Sequence, residues 1–207
     1  MVDTWTKIKK ILHRDFSRHD VGEPEKFKQF NVKDPLKELT VESIRNWQQQ
    51  RCIPNSVAMY NTVRDFNLAS VIRNASAFAL KEINIIGWKK YDKRGAVGAY
   101  NYVTINHFPT FNEFSKYIGY TNLVGLELPE HYPRIQQASF LELSSFEWQP
   151  GYCLLVGEEG QGIPEEDLRC CFHRVKITIP GSMRSLNAAT SAGIAMYQMS
   201  QASKYYE

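Results

Sequence analysis

Residues 56–88 read SVAMYNTVRDFNLASVIRNASAFALKEINIIGW, and this stretch decides the fold. Its first six residues are a short apolar run with a turn after it. From Asn67 onward, Leu68, Val71, Ile72, Ala75, Phe78 and Ala79 recur at helical spacing. INIIGW is then a β-branched run that reads as a second strand. A strand, a helix and a strand in succession begin the pattern of an α/β chain.

The pattern continues outward. YVTINHF (102–108) is a strand candidate, followed by a short helix at FNEFSKYIG. TNLVGLEL (121–128) and YCLLVG (152–157) read as buried strands, PEEDLRCCF as a helix with Pro164 in its first turn, and RVKITIP (174–180) as a last strand. SLNAATSAGIAMYQMSQAS (185–203) is a last helix. Strands that alternate with helices imply a mainly parallel sheet with helices on both faces. Toward the N-terminus, Ile8, Ile11 and Leu12 share one helix face, and DPLKELTVESIRNWQQQ (34–50) reads as a second helix. The aperiodic stretch 17–33 reads as a linker. Residues 1–50 are therefore expected to form a helical N-terminal extension, and 51–207 the main domain.

Composition agrees with this class. The 207 residues are 43% hydrophobic and 23% charged, which fits one globular domain with a small appendage. No apolar run approaches the ~18–20 residues that cross a bilayer. The N-terminus is basic and amphipathic and lacks the apolar core of a secretory signal, so a cytoplasmic protein without a membrane partner is expected. The cysteines Cys52, Cys153, Cys170 and Cys171 form no Cys-x-x-Cys pair, so reduced thiols and no metal site are expected. Net charge is only +3, but Lys89, Lys90, Lys93 and Arg94 crowd one glycine-ended loop. Such a run is a solvated loop or a phosphate-binding surface.

Ligands of parallel α/β sheets sit at the carboxyl ends of strands, and three strand ends here are chemically unusual. At NTVRDFNLASVIRN, Asn67 is a candidate helix N-cap, and Arg73 follows within an otherwise apolar stretch. In LLVGEEGQGIPEE, a buried strand runs into Gly157, Gly160 and Gly162. The spacing matches neither the dinucleotide fingerprint nor a Walker loop, so a nucleotide-dependent oxidoreductase is disfavoured. At GSMRSLNAATSAGIAMYQ (181–198), residues 188–195 are nearly all small, and Gly193 inside a helix costs about 1 kcal/mol relative to Ala. Something should use that space: another helix of the core, or a ligand. Ser185 and Asn187 are the polar groups at that helix start.

Taken together and in order, Asn67–Arg73, VGEEGQG and IPGSMRSLNAATSAGIAMY resemble the three motifs of the TrmH/SpoU branch of the SPOUT RNA methyltransferases. The likeness runs from about Ser56 to Met199 and includes KKYDKRGAVGAYNYV. It implies an α/β sheet whose C-terminal segment forms a deep trefoil knot. It implies S-adenosylmethionine bound there, near Leu155, Gly157, Ile179, Leu186 and Ala188, and a homodimer with the small-residue helix near cofactor and interface. It implies methyl transfer to a ribose 2′-hydroxyl of tRNA or rRNA. Arg73 matches the arginine that assists the hydroxyl, Asn67 shapes that arginine's helix, and Glu159, Ser185 and Asn187 fix the catalytic loops and substrate. Lys89, Lys90, Lys93 and Arg94, with the N-terminal helix, would track RNA phosphates. The chain departs from the pattern at Ala79 (commonly Gly), Asn74 (commonly Thr), Ala188 (commonly Val), and by two missing residues before Gly181. That shortened loop leaves a second reading open: an RNA-binding protein with this fold and no turnover.

Overall fold

The computed structural model describes residues 31–62 and 66–202. The N-terminal helix around Ile8–Leu12 and the stretch expected as a linker, except for its last three residues, lie outside them. The elements that carry the fold are α1 (Val41–Gln49), β1 (Ile53–Asn61), α2 (Asn67–Ala77), β2 (Leu80–Gly87), β3 (Thr104–Phe108), α3 (Phe111–Ile118), β4 (Leu123–Leu126), β5 (Phe140–Glu142), β6 (Cys153–Val156), α4 (Glu165–Cys170), β7 (His173–Lys176) and α5 (Ala188–Ala202). The seven strands form one sheet in the order β3-β2-β1-β6-β4-β7-β5, and every pairing is parallel.

Alternation along each strand explains why the strand sequences look continuously apolar. Val57 and Met59 of β1, Ile83 and Ile85 of β2, and Leu154 and Val156 of β6 point to one face. There they meet Leu68, Val71, Ile72 and Ala75 of α2 and Ala189, Ala192, Ala195 and Met196 of α5. Ala58, Ile86, Cys153 and Leu155 point to the other, under Phe114 of α3 and Leu168 of α4. Both faces are thus covered by helices. Each fully buried Leu, Ile or Val contributes ~1.5–3 kcal/mol against exposure.

The helix expected over 34–50 divides in two. A 3₁₀ turn spans Asp34–Leu36, and α1 starts only after Thr40, whose hydroxyl accepts the Ser43 N–H at 3.1 Å. Leu36, Leu39 and Ile44 form a small separate core on Tyr102. Gln48 Nε2 donates to Ser76 Oγ at 3.2 Å, so contacts cross the boundary expected at 50–51. The last expected strand is shorter than its apolar run, ending at Lys176. β5, which the sequence did not announce, flanks it.

α5 returns from β7, near one edge of the sheet, to lie on α2. A Cβ on Gly193 would come within 3.0 Å of Asn74 Nδ2. The space left by Gly193 is therefore used by a side chain of α2. Met196 of this helix is wholly buried in the core.

Candidate functional site

Three connections meet at the carboxyl ends of the central strands. They are residues 126–131 after β4, 156–162 after β6, and 177–188 leading into α5. Together they line a cleft of about 580 Å³, within the ~300–1,000 Å³ common for small-molecule sites. Gly157, Glu159, Ile179, Ser185, Leu186, Asn187 and Ala188 all line it. Leu155 does not: its side chain is buried under the opposite face of the sheet.

Close packing makes the wall after β6. A Cβ on Gly157 would lie 2.1 Å from the carbonyl carbon of Gly162 and 2.4 Å from the Ile163 nitrogen. Only glycine lets the loop fold back so tightly. The Gly162 N–H then donates to the Glu158 carbonyl at 3.0 Å.

Asn67, Glu159 and Asn187 form one polar clamp. Asn67 Nδ2 donates to Glu159 Oε2 at 2.6 Å. Asn187 Nδ2 donates to Asn67 Oδ1 at 2.8 Å and to Glu159 Oε2 at 3.0 Å. Asn187 Oδ1 meanwhile accepts the Thr190 N–H at 3.1 Å, which caps α5. The three sequence motifs are thereby joined side chain to side chain. Asn67 is not the N-cap of α2, as expected from sequence; Phe66 holds that position, and the Asn67 amide is used in the clamp.

Arg73 lies elsewhere. It is exposed and does not line the cleft. Six residues of helix place it ~9 Å along α2 from Asn67 and turned well away from it. It shares a helix face instead with the exposed Phe66, seven residues earlier.

Lys89, Lys90, Lys93 and Arg94 are all exposed between β2 and β3. Their charges are not equivalent. Arg94 pairs with Asp92 at 2.6 Å and lies 5.3 Å over the Phe66 ring; this guanidinium holds the Asp92 carboxyl below the usual carboxylate range. Lys93 lies 4.8 Å over the Tyr100 ring.

Sequence reasoning passed over several cleft residues. Glu127 lines the cleft and accepts the Ile163 N–H at 2.8 Å. Burial pushes its carboxyl above the usual range, opposed by the Ile163 and Leu128 N–H groups. Glu158, next to Glu159, is buried and accepts from both the backbone N–H and the hydroxyl of Thr62, tying the end of β1 to the cleft. His131, Met183 and Arg184 also line the cleft. The available signal was position alone, since each follows a strand end. The cysteines carry no disulfide, and burial pushes the thiols of Cys153 and Cys171 up to about 12. Among the described residues no His, Cys, Asp and Glu group could hold a metal ion, and no helix is long and apolar enough to cross a membrane.

Comparison with known proteins places these features in context. The model of the SpoU rRNA Methylase family matches residues 54–197. A ribosomal RNA small subunit methyltransferase G 2 of Syntrophobacter fumaroxidans is 26% identical over 179 residues. That match covers 83% of this chain but 32% of the relative, so the chain spans about a third of its length. Among solved structures, a TrmH/SpoU tRNA modifying enzyme of A. aeolicus superposes with a TM-score of 0.64 at 20% identity, covering 78% of this chain and 81% of that one. An AdoMet-bound rRNA methyltransferase of Sinorhizobium meliloti gives 0.61 at 23% identity, covering 76% and 59%. These likenesses concern the fold.

Proposed function

Because the chain belongs to the SpoU rRNA Methylase family, a branch of the SPOUT RNA methyltransferases, we propose that it is an S-adenosylmethionine-dependent methyltransferase acting on a ribose 2′-hydroxyl of tRNA or rRNA. The observation that carries this reading is the clamp of Asn67, Glu159 and Asn187, which joins the three family motifs around one cleft.

The cleft fits the cofactor chemically. Leu126, Val156, Ile177 and Leu186 offer apolar surface to a purine, and Glu127, Glu158 and Glu159 offer carboxylates to a cationic sulfonium. Gly157, Ile179, Leu186 and Ala188 would hold the molecule, and Leu155 would not touch it. When bound, S-adenosylmethionine supplies an electrophilic methyl group. The clamp keeps the loops in one arrangement, so little reorganisation remains for the reaction. Ser185, exposed in the cleft lining, would meet the ribose. Arg73 is a poor base, since a guanidinium loses its proton only above pH ~12. Its place on the outer face of α2 supports a role in orienting a substrate phosphate.

The same reading includes the deep trefoil knot; residues of the segment 177–188 line one cleft with the loops after β4 and β6. It takes 1–50 as an N-terminal extension, 51–207 as the methyltransferase domain, and the cytoplasm as the place of action. It also includes a homodimer. Ile194 and Tyr197 stand exposed on α5 beside a hollow of about 450 Å³ lined also by Leu143 and Ile177. Sedimentation should give twice the 23.9 kDa chain mass.

The test incubates the protein with methyl-labelled S-adenosylmethionine and RNA from cells lacking it, then hydrolyses the RNA in alkali. A 2′-O-methyl group blocks cleavage at its own nucleotide, so label should collect in alkali-resistant dinucleotides. Label in mononucleotides would refute ribose methylation. Binding of cofactor and RNA with no transfer would favour the reading without turnover.

A further inference from the structure

The segment after β2 places an exposed tryptophan among lysines. Trp88 is 51% exposed and is followed by Lys89 and Lys90. About half of this aromatic residue is exposed, and the backbone that carries it is held in place. The Trp88 N–H donates to the Asn61 carbonyl at 2.9 Å. The Asn61 side chain, itself 2% exposed, donates back to the Trp88 carbonyl at 2.5 Å and to the Lys90 carbonyl at 3.1 Å. Both sides of the indole-bearing residue are therefore fixed to the end of β1.

That anchor adjoins the cleft. Thr62, next to Asn61, donates to Glu158 in the cleft wall. A Cβ on Gly87 would come within 3.3 Å of Thr62 Cγ2. Phe66 is 59% exposed and precedes Asn67 of the clamp. The Arg94 guanidinium lies on Phe66, and Arg73 continues its helix face. The outcome is an exposed aromatic residue followed by two lysines at the strand end that carries Thr62, with the Trp88 backbone on a stiff support.

We propose that Trp88 is a stacking platform for an unpaired base of the RNA substrate, so that the surface selects single-stranded segments over duplex. This rests on the RNA methyltransferase reading and adds the form in which the substrate is presented. An indole face stacks on any base that leaves its own stack, with little regard to sequence. In a duplex the bases are stacked on one another and offer it nothing, while phosphates remain available to the lysines. The lysines then supply salt-dependent attraction to either form, and Trp88 supplies the difference between them.

Fluorescence anisotropy of the full chain tests this, using a labelled 15-nucleotide mixed-sequence RNA, alone and annealed to its complement, over a range of salt. The wild type should bind the single strand more tightly. Trp88→Ala should weaken that binding about tenfold or more, move duplex binding less than twofold, and leave the salt slope unchanged. Trp88→Tyr should recover most of the loss. Lys89→Ala with Lys90→Ala should lower the slope for both forms. Melting temperature and S-adenosylhomocysteine affinity of Trp88→Ala should match the wild type. An unchanged single-strand affinity in Trp88→Ala, or an equal loss for both forms, overturns the proposal. If labelled methyl is still transferred to RNA in that case, the enzyme reading stands without it. If the wild type binds neither form, both fall.

Discussion

Replacing Gly157 with alanine tests the cleft wall directly. The added Cβ would meet three backbone atoms of Gly162 and Ile163 at 2.1 to 2.5 Å, far inside the ~3.5–4.0 Å of an ordinary carbon contact. None belongs to a flexible side chain, so the loop itself must move by ~1 Å or more. Moving it strains the Gly162 N–H bond to Glu158, the Ile163 N–H bond to Glu127, and the Tyr132 hydroxyl bond to the Ile163 carbonyl. At ~1 kcal/mol for each bond lost, or ~1–3 kcal/mol for overpacking alone, the variant should lose ~3 kcal/mol. With a urea m-value of ~2 kcal/mol/M, the unfolding midpoint should fall by ~1.5 M. Two neighbours calibrate the argument. Gly160 has φ +92° and open space, so its alanine variant meets only the backbone cost of ~1–2 kcal/mol. Gly181 has open space and no positive φ, so alanine there should be neutral or stabilise by ~0.4–1 kcal/mol. Urea unfolding of all three, with calorimetry of S-adenosylhomocysteine binding, should give that rank and a loss of affinity of at least about tenfold in Gly157→Ala alone. Equal midpoints for Gly157→Ala and Gly160→Ala, or intact affinity in the former, would refute the close approach.

Ala79 sits at φ +54°, in the left-handed region that favours glycine; Ala79→Gly should raise stability by ~1 kcal/mol in the same unfolding assay. Glu127 is raised above its usual 4.5 by burial. Between 4.5 and its native value the folded protein binds more protons than the unfolded chain, so stability falls as pH rises through that window and levels off above it. Glu127→Gln should remove this part of the slope, as read from unfolding midpoints between pH 4 and 8; an unchanged slope would place the titration elsewhere. Arg73→Ala should leave melting temperature and cofactor affinity near wild type, because the side chain is exposed and outside the cleft, while methyl transfer falls at least about a hundredfold, ~2.7 kcal/mol. Arg73→Lys should recover little of it, and transfer near the wild-type rate in Arg73→Ala would remove the residue from the mechanism.

The sequence by itself determined the parallel α/β class. A strand such as CLLV is apolar on both sides because both faces are covered, and helical spacing in NLASVIRNASA is read without knowing the neighbours. It also marks Asn67, Gly157 and Asn187 by their places at strand and helix ends, while Glu159 is marked only by the resemblance of VGEEGQG to a family motif. The roles of those residues were not legible there. Asn67 has the composition of an N-cap and looks like one locally; only contact with Asn187, 120 positions away, turns its amide toward the clamp. Gly193 signals that something comes close, yet spacing cannot say that Asn74 does. Arg73 sits among apolar residues in the chain, and only the packing of the opposite face of α2 leaves it in water. Glu127 and Glu158 looked like ordinary acidic residues after strands. Burial and distant donors decide their chemistry, and both depend on how the folded chain brings the ends of separate strands together.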